Sequence, residues 1–175
     1  MQSFNRLVLK YQDMAYNVAY RILADPDDAA DAVQDSFVKA FERLHQLHGG
    51  SFKAWLLRIV TNSCYDRIRK KKRHPTISMD TPSGERETIQ QWPETAPGPD
   101  EIVLQHERAE IIQKGISELP PDQRTVLVLS DIEGLSYREI AEVTQVPIGT
   151  VRSRLARARA KMREYLKERG VLPGS

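Results

Sequence analysis

The fold is indicated first by residues 136–159, which read SYREIAEVTQVPIGTVRSRLARAR. Ile140 and Val151 are apolar at positions that two crossing helices would bury, and Ala141 is small where the helices approach closely. Only three or four residues around Pro147 separate the two helical stretches. This layout predicts a helix-turn-helix, a motif whose second helix enters the major groove of DNA.

The second helix of this motif, from about residue 148 to residue 169, has an apolar side and an opposite side of small residues. Its apolar side is formed by Val151, Leu155, Ala158, Met162 and Leu166. Small residues such as Ser153 would let the helix sink into the groove, while Arg152 and Arg157 at the flanks reach base edges or phosphates. Arg154 and Arg159 lie farther round. A merely solvated, arginine-rich face is the alternative, but it leaves the short turn unexplained.

Three further helices are predicted upstream, from about residue 3 to 23, from residue 26, and from residue 52 to 73. Asp25 and Pro26 form a helix start, and Ser51 caps the third helix after a Gly49–Gly50 break. The second helix has an apolar stripe, formed by Val33, Phe37, Ala40, Phe41 and Leu44. A polar face remains opposite this stripe, formed by Asp28, Asp31, Gln34 and Asp35.

The third helix offers a second candidate surface for nucleic acid. Arg58, Asn62, Tyr65 and Arg69 recur at intervals of four, three and four residues, which places them along one line. Amide, aromatic and guanidinium groups can hydrogen-bond and stack on bases that have left the duplex. An ordinary polar helix face fits these residues nearly as well. The basic run 67–73 adds phosphate attraction, or is simply a solvated helix end.

Residues 74–100 separate these helices from the C-terminal part of the chain. They hold five of the ten prolines, at positions 75, 82, 93, 97 and 99, with no helical periodicity. We interpret them as a flexible linker that could extend over roughly 90 Å, although a surface loop is the alternative. Further helices are expected from about residue 100 to 117 and from residue 121 to 131. The sequence thus predicts an all-α protein of two small helical domains.

Charge is distributed unevenly along the chain, although the net charge is only +2. Residues 1–73 have 13 basic and 8 acidic side chains, residues 74–118 have 3 and 9, and residues 119–175 have 10 and 7. Two basic modules joined by an acidic segment suit a protein that contacts a polyanion at both ends.

Composition argues against several other classes of protein. No run of 18 uncharged apolar residues is present and the N-terminus does not resemble a signal peptide, so we expect a cytoplasmic protein without membrane insertion. The single cysteine and four scattered histidines match no metal-ligand spacing, and no P-loop occurs. The acidic face of the second helix lacks a base to complete a catalytic site and is interpreted as a protein-docking face. We therefore expect no catalytic residue, metal or cofactor.

Taken together, these motifs resemble the small extracytoplasmic-function class of bacterial sigma-70 factors. Residues 28–37 resemble region 2.2, which implies that Asp28, Asp31, Gln34 and Asp35 dock on the β′ clamp helices of core RNA polymerase. The third helix is similar to regions 2.3 and 2.4, which implies −10 contacts by Arg58, Asn62, Tyr65, Asp66 and Arg69. Residues 119–159 resemble region 4, which implies −35 contacts by Thr150, Arg152, Ser153, Arg154 and Arg157.

The resemblance implies a sigma factor with region 2, a three- or four-helix bundle, in residues 1–73, a linker in residues 74–100 and region 4 in residues 101–175. Its partners would be core polymerase through the β′ clamp helices and the β flap, promoter DNA, and an anti-sigma factor. Ala30 stands where the family usually has glutamate, and Gln145 where the turn usually has glycine. Two other functions remain open: a conventional helix-turn-helix regulator, and a DNA enzyme that uses Asp28, Asp31 and Asp35.

Overall fold

The structure is a computed structural model of the 175-residue chain, and it describes residues 2–74 and 98–173. Within these two ranges the chain forms seven α-helices and no strand. They are α1 (Gln2–Leu23), α2 (Pro26–Glu42), α3 (Phe52–Arg73), α4 (Pro99–Glu118), α5 (Pro121–Leu127), α6 (Tyr137–Thr144) and α7 (Ile148–Glu168). A 3₁₀ turn, Leu44–Gln46, follows α2, and a π-helical segment, Val128–Ile132, continues α5. The predicted all-α fold is confirmed.

The predicted linker lies almost wholly outside the described residues, which resume at residue 98. Its last two positions belong to α4, which begins at Pro99 rather than at residue 100 or later. The helix expected from residue 121 to 131 also differs, because its second half is π-helical. The described helices therefore fall into an N-terminal half, α1–α3, and a C-terminal half, α4–α7.

Local capping residues set the starts of the helices where the sequence predicted them. The Asp25 carboxylate accepts a hydrogen bond from the Asp28 N–H at 2.9 Å, and the Ser51 hydroxyl accepts one from the Ala54 N–H at 3.2 Å. Each cap satisfies one of the N–H groups that a helix start leaves without a partner inside the helix. These two caps fix where α2 and α3 begin.

The N-terminal half is held together by small residues on α1 and α2 that allow close packing against α3. The fully buried residues of α2 are Ala29, Ala32, Ser36 and Ala40. The predicted apolar stripe of α2 is therefore wrong in part, because Phe41 is 51% exposed and packs edge-on against Phe4. Ser36, which the predicted stripe left out, is fully buried instead, and its hydroxyl donates to the Ala32 carbonyl at 2.6 Å and lies 3.2 Å from that of Ser63.

The C-terminal half packs around α7, whose buried side is largely the predicted one. Val151, Leu155, Ala158 and Met162 are buried, but the last buried residue is Tyr165, and Leu166 is only partly covered. Gly115 of α4 allows this arrangement, since a Cβ there would lie 2.7 Å from the ring of Tyr165. The Arg169 guanidinium covers the ring from outside, 3.4 Å from its centre.

The two halves also pack against each other, which the sequence did not predict. Helix α3 contacts α6, while α1 contacts α4, α5 and the π-helical segment. The Tyr65 hydroxyl forms a 2.8 Å hydrogen bond with the Thr125 hydroxyl, and Arg124 donates to the carbonyl of Ile22. We call this set of contacts between the two halves the seam.

Candidate nucleic-acid interface

The predicted helix-turn-helix is formed by α6, the turn at residues 145–147, and α7. A reciprocal capping box starts α6: the Ser136 hydroxyl accepts from the Glu139 N–H at 3.2 Å, and the Glu139 carboxylate accepts from the Ser136 N–H at 3.1 Å. These hydrogen bonds lower the pKa of Glu139. Ile140 and Val151 are fully buried, as predicted, and both belong to the apolar core against which α6 and α7 pack.

The turn between these helices requires Gln145 to adopt a left-handed conformation, with φ 59° and ψ 41°. Its N–H bonds the Ala141 carbonyl at 2.9 Å, which closes the end of α6. This conformation is strained for a residue with a Cβ atom. Gln145 therefore adopts the left-handed conformation that glycine usually takes at the end of a helix, and it does so with strain.

We expect Gln145→Gly to raise the free energy of unfolding by about 1 kcal/mol, because glycine has no Cβ to strain in this conformation. Urea denaturation measures the change. Gln145→Ala is the matched control. Like Gln145→Gly it loses the 2.7 Å hydrogen bond from the Gln145 side chain to the Glu142 carbonyl, but it keeps the strain. A glycine variant no more stable than the wild type would contradict the strain argument.

The outer face of α7 presents most of the residues predicted to contact duplex DNA. Arg152, Ser153 and Arg157 are exposed, and Thr150 is partly exposed at the first turn. Arg154 differs, because it is half-buried and its Nε lies 3.4 Å from a carboxylate oxygen of Asp122.

Arg159 is also held by an ion pair. Its guanidinium donates to both carboxylate oxygens of Asp131, at 3.0 and 2.6 Å, and this lowers the pKa of Asp131. Among Arg152, Arg154, Arg157 and Arg159, the two without an ion pair in the described residues are therefore Arg152 and Arg157, which the sequence placed beside the centre of the groove-facing side.

The residues predicted on α3 converge on a polar cavity of about 420 Å³ between α2, the 3₁₀ turn and α3. All five predicted residues line it: Arg58, Asn62, Tyr65, Asp66 and Arg69. Trp55 and Ile59 add an apolar wall, and Asp66 is ion-paired with Arg69. A cavity with an aromatic wall and surplus positive charge suits a planar group attached to a phosphate.

Three further residues line the polar cavity and were missed from the sequence: Lys39, Arg43 and Gln46. Lys39 and Arg43 are four residues apart at the end of α2, so they project from the same side of the helix. This four-residue spacing is the sequence signal that could have identified them as a pair. Basic residues at the end of a helix are also explained by the helix dipole, however, so the spacing alone does not indicate a binding site.

The acidic face predicted on α2 is neutralised in part by α3. Arg67 lies 3.8 Å from Asp28, 3.9 Å from Asp31 and 3.2 Å from Asp35, while Lys71 pairs with Asp28. Gln34 is exposed beside them. Asp31 and Asp35 keep 62% and 61% of their side chains exposed, so they remain accessible to a partner.

The Arg67 guanidinium lies among the three carboxylates of the acidic face. Among the residues that the structure describes, no group of three or more His, Cys, Asp or Glu side chains could hold a metal. Burial raises the pKa of Cys64 to about 12, so this thiol is enclosed and neutral. In the described ranges no helix combines the length and apolar character needed to cross a membrane.

Comparison with known proteins identifies both halves. Residues 7–74 match sigma-70 region 2, and residues 109–162 match sigma-70 region 4. The chain is 36% identical over 166 residues to the ECF RNA polymerase sigma factor SigE of Mycolicibacterium smegmatis, covering 95% of this chain and 62% of that protein. It is 35% identical over 170 residues to the ECF RNA polymerase sigma factor SigW of Bacillus subtilis, covering 95% of this chain and 90% of that protein.

A solved structure matches across both halves. It is the sigma factor RpoE in complex with the anti-sigma factor NepR from Bartonella quintana, with a TM-score of 0.73 and 28% identity over 95% of this chain and 98% of that one. The resemblance seen in the motifs is thus confirmed over nearly the whole length of the chain. The protein belongs to the sigma-70 family, in its extracytoplasmic-function class of RNA polymerase sigma factors.

Proposed function

We propose that this sigma factor directs core RNA polymerase to promoters by reading two DNA elements with two domains. Region 4, in residues 101–175, would read −35 duplex, and region 2, in residues 1–73, would capture bases of the −10 element. The observation that carries this proposal is the polar cavity, because a regulator that binds only duplex DNA needs the helix-turn-helix alone. Acting beside polymerase and DNA, the protein would work in the cytoplasm.

Duplex recognition is assigned to the first half of α7. Arg152 and Arg157 are exposed on either side of Ser153, which suits contacts to base edges or to the adjoining backbone. Arg154 would join them after release from Asp122, and Thr150 lies at the first turn of the helix. The remaining exposed basic residues of α7 would contact phosphate groups of the DNA backbone.

Single-strand capture is assigned to the polar cavity. Asn62, Tyr65 and Trp55 supply hydrogen-bonding and stacking groups, while Lys39 and Arg43 supply charge for the phosphate. Arg58, Asp66 and Arg69 complete the wall. Opening of the duplex would be driven by tighter binding of the open form, so the protein acts by recognition and needs no chemical step of its own.

Polymerase docking is assigned to the acidic face and to region 4. Asp31 and Asp35, with Gln34 and the partly covered Asp28, would contact basic side chains of the β′ clamp helices. The shallow apolar groove formed by Ile112, Ile116, Leu127 and Met162 would receive the β flap. The apolar lining of this groove supports a hydrophobic contact there.

We also propose control by an anti-sigma factor, since the RpoE structure holds one and matches this chain across both domains. Such a partner would cover the docking or DNA-binding faces. The chain purified from uninduced cells should carry it. A co-purified protein that leaves polymerase binding unaffected would contradict this regulation.

Reconstitution with core polymerase tests the proposed function directly. Promoter-specific transcripts should require both the chain and core polymerase, and the Lys39→Ala/Arg43→Ala variant should lower promoter opening about tenfold, the effect of losing about 1.4 kcal/mol of binding. Arg6→Ala/Lys10→Ala is the matched control, because it removes the same two charges from exposed positions four residues apart on α1 that do not line the cavity. Tight binding to isolated duplex at physiological salt without polymerase would instead favour a conventional regulator.

A further inference from the structure

The polar cavity carries more positive charge than one nucleotide of a DNA strand can neutralise. Asp66 is the one carboxylate among its lining residues, and the cationic side chains that line it are Lys39, Arg43, Arg58 and Arg69. The cavity therefore has a surplus of three positive charges. Each nucleotide of a strand brings a single phosphate charge, so the capture of one base leaves most of this surplus in place.

The protein itself does not neutralise this surplus. Asp66 is ion-paired with Arg69, whereas Lys39, Arg43 and Arg58 form no ion pair within residues 2–74 and 98–173. Arg43 and Arg58 are exposed and Lys39 is partly exposed, so all three can be reached from solvent. A cleft lined by one sign of charge concentrates ions of the opposite sign, so this cavity favours an anion with several charges.

The aromatic wall of the cavity suits a base rather than a bare polyanion. The ring of Trp55 packs against that of Phe52, with the two ring centres 5.8 Å apart, and this contact holds the indole in position. Stacking on an aromatic ring accepts every base, because every base has a π-face. The Tyr65 hydroxyl is engaged by Thr125 at the seam, so we assign the stacking contact to Trp55.

The remaining lining residues and the size of the cavity complete a site for a small ligand. Asn62 and Gln46 bring amide groups, which both donate to and accept from the edge of a base. The volume of about 420 Å³ lies within the range of about 300–1,000 Å³ that is typical of small-molecule pockets.

A nucleoside triphosphate combines the features that this cavity can bind. It has one planar base, and it carries a charge of about −4 because its terminal phosphate contributes about −2 near neutral pH. This charge matches the surplus of the cavity more closely than the single phosphate of a strand nucleotide does. The base would meet Trp55 and Asn62, while the phosphates would meet the cationic side chains.

We propose that the polar cavity is a binding site for a free nucleoside triphosphate, in which Trp55 stacks on the base, Asn62 pairs with its edge, and Lys39 and Arg43 bind the phosphates. This site goes beyond the proposed function, which assigns only a DNA strand to the cavity. One cavity cannot hold both ligands, so the free nucleotide excludes the −10 strand. That consequence alone rests on the proposed function of region 2.

Isothermal titration calorimetry of the full chain tests the site, with ATP as the probe and without magnesium, which would neutralise the phosphates. ATP should bind saturably with a Kd below about 1 mM. Adenosine has no phosphate and inorganic triphosphate has no base, so each should bind at least about tenfold more weakly than ATP. This comparison uses the wild-type chain and does not depend on the folding of any variant.

Two variants separate the contacts to phosphate from the contacts to the base. Lys39→Ala/Arg43→Ala should weaken the binding of both ATP and inorganic triphosphate by at least about tenfold. Asn62→Ala, at an exposed position of α3, should weaken ATP about fivefold and leave triphosphate binding unchanged. The matched control is again Arg6→Ala/Lys10→Ala, which should bind both ligands as the wild type does.

The outcomes distinguish this site from the proposed function. Absence of saturable ATP binding overturns the nucleotide site, and so does equal affinity for ATP and inorganic triphosphate, which would show adsorption of polyanions only. Unchanged ATP affinity in Asn62→Ala, or in Lys39→Ala/Arg43→Ala, also overturns it. None of these results bears on transcription, whereas failure of the wild-type chain to give transcripts with core polymerase overturns the proposed function and leaves the calorimetric result standing.

Discussion

Reversing both Asp31 and Asp35 to Lys is expected to lower the affinity for core polymerase by at least about a hundredfold. The acidic face, with Arg67 and Lys71, holds three acidic and two basic groups, and the variant changes these to one acidic and four basic. Like charges brought together in an interface cost several kcal/mol. The affinity is measured by fluorescence titration of labelled core polymerase.

The same reversal should leave the fold intact. It costs more stability than the sequence alone suggested, because it removes the ion pairs that Arg67 forms with both carboxylates. Both carboxylates are more than 60% exposed, and surface ion pairs contribute about 0–1 kcal/mol each. The loss of stability should therefore be modest and visible as a small decrease in melting temperature. Asp13→Lys, on the exposed side of α1, is the matched control. A folded double variant that retains wild-type affinity would show that docking occurs elsewhere.

The parts of the fold that could be predicted from the sequence are those encoded within a few residues. The start of α2 depends on Asp25 and Pro26, and the start of α6 depends on Ser136 and Glu139, three residues away. Periodicity also placed the buried side of α7. The predicted buried stripe of α2 was wrong at Phe41, because the close approach of α2 to α3 selects small residues rather than large ones.

The contacts that could not be predicted join residues far apart in the sequence. Arg67 reaches Asp35 across 32 positions, and Tyr65 reaches Thr125 across 60. No periodic pattern marks such pairs, since each residue alone resembles an ordinary exposed polar side chain. The polar cavity could be predicted only in part. Its α3 residues lie along one side of a single helix, whereas Lys39 and Arg43 line the cavity only because α2 packs beside α3.

The second large effect is expected at α7, where Arg157→Ala should relax the preference for one particular base of the −35 element. Arg154 and Arg159 are held by Asp122 and Asp131, whereas the described residues offer no ion pair to Arg157, so its guanidinium is free for DNA. A bidentate contact from arginine to guanine contributes about 1–3 kcal/mol of discrimination, which is roughly a 5- to 150-fold preference.

Transcription with core polymerase on a panel of single-base −35 variants measures this preference. Lys161→Ala is the matched control, because Lys161 is exposed one turn farther along α7 and should contact phosphate at most. Loss of the Lys161 charge should weaken binding to every promoter variant equally. It should also reduce the slope of log affinity against log salt concentration by about one. If Arg157→Ala also lowers transcription equally from every promoter variant, Arg157 positions the helix on the backbone and does not read a base.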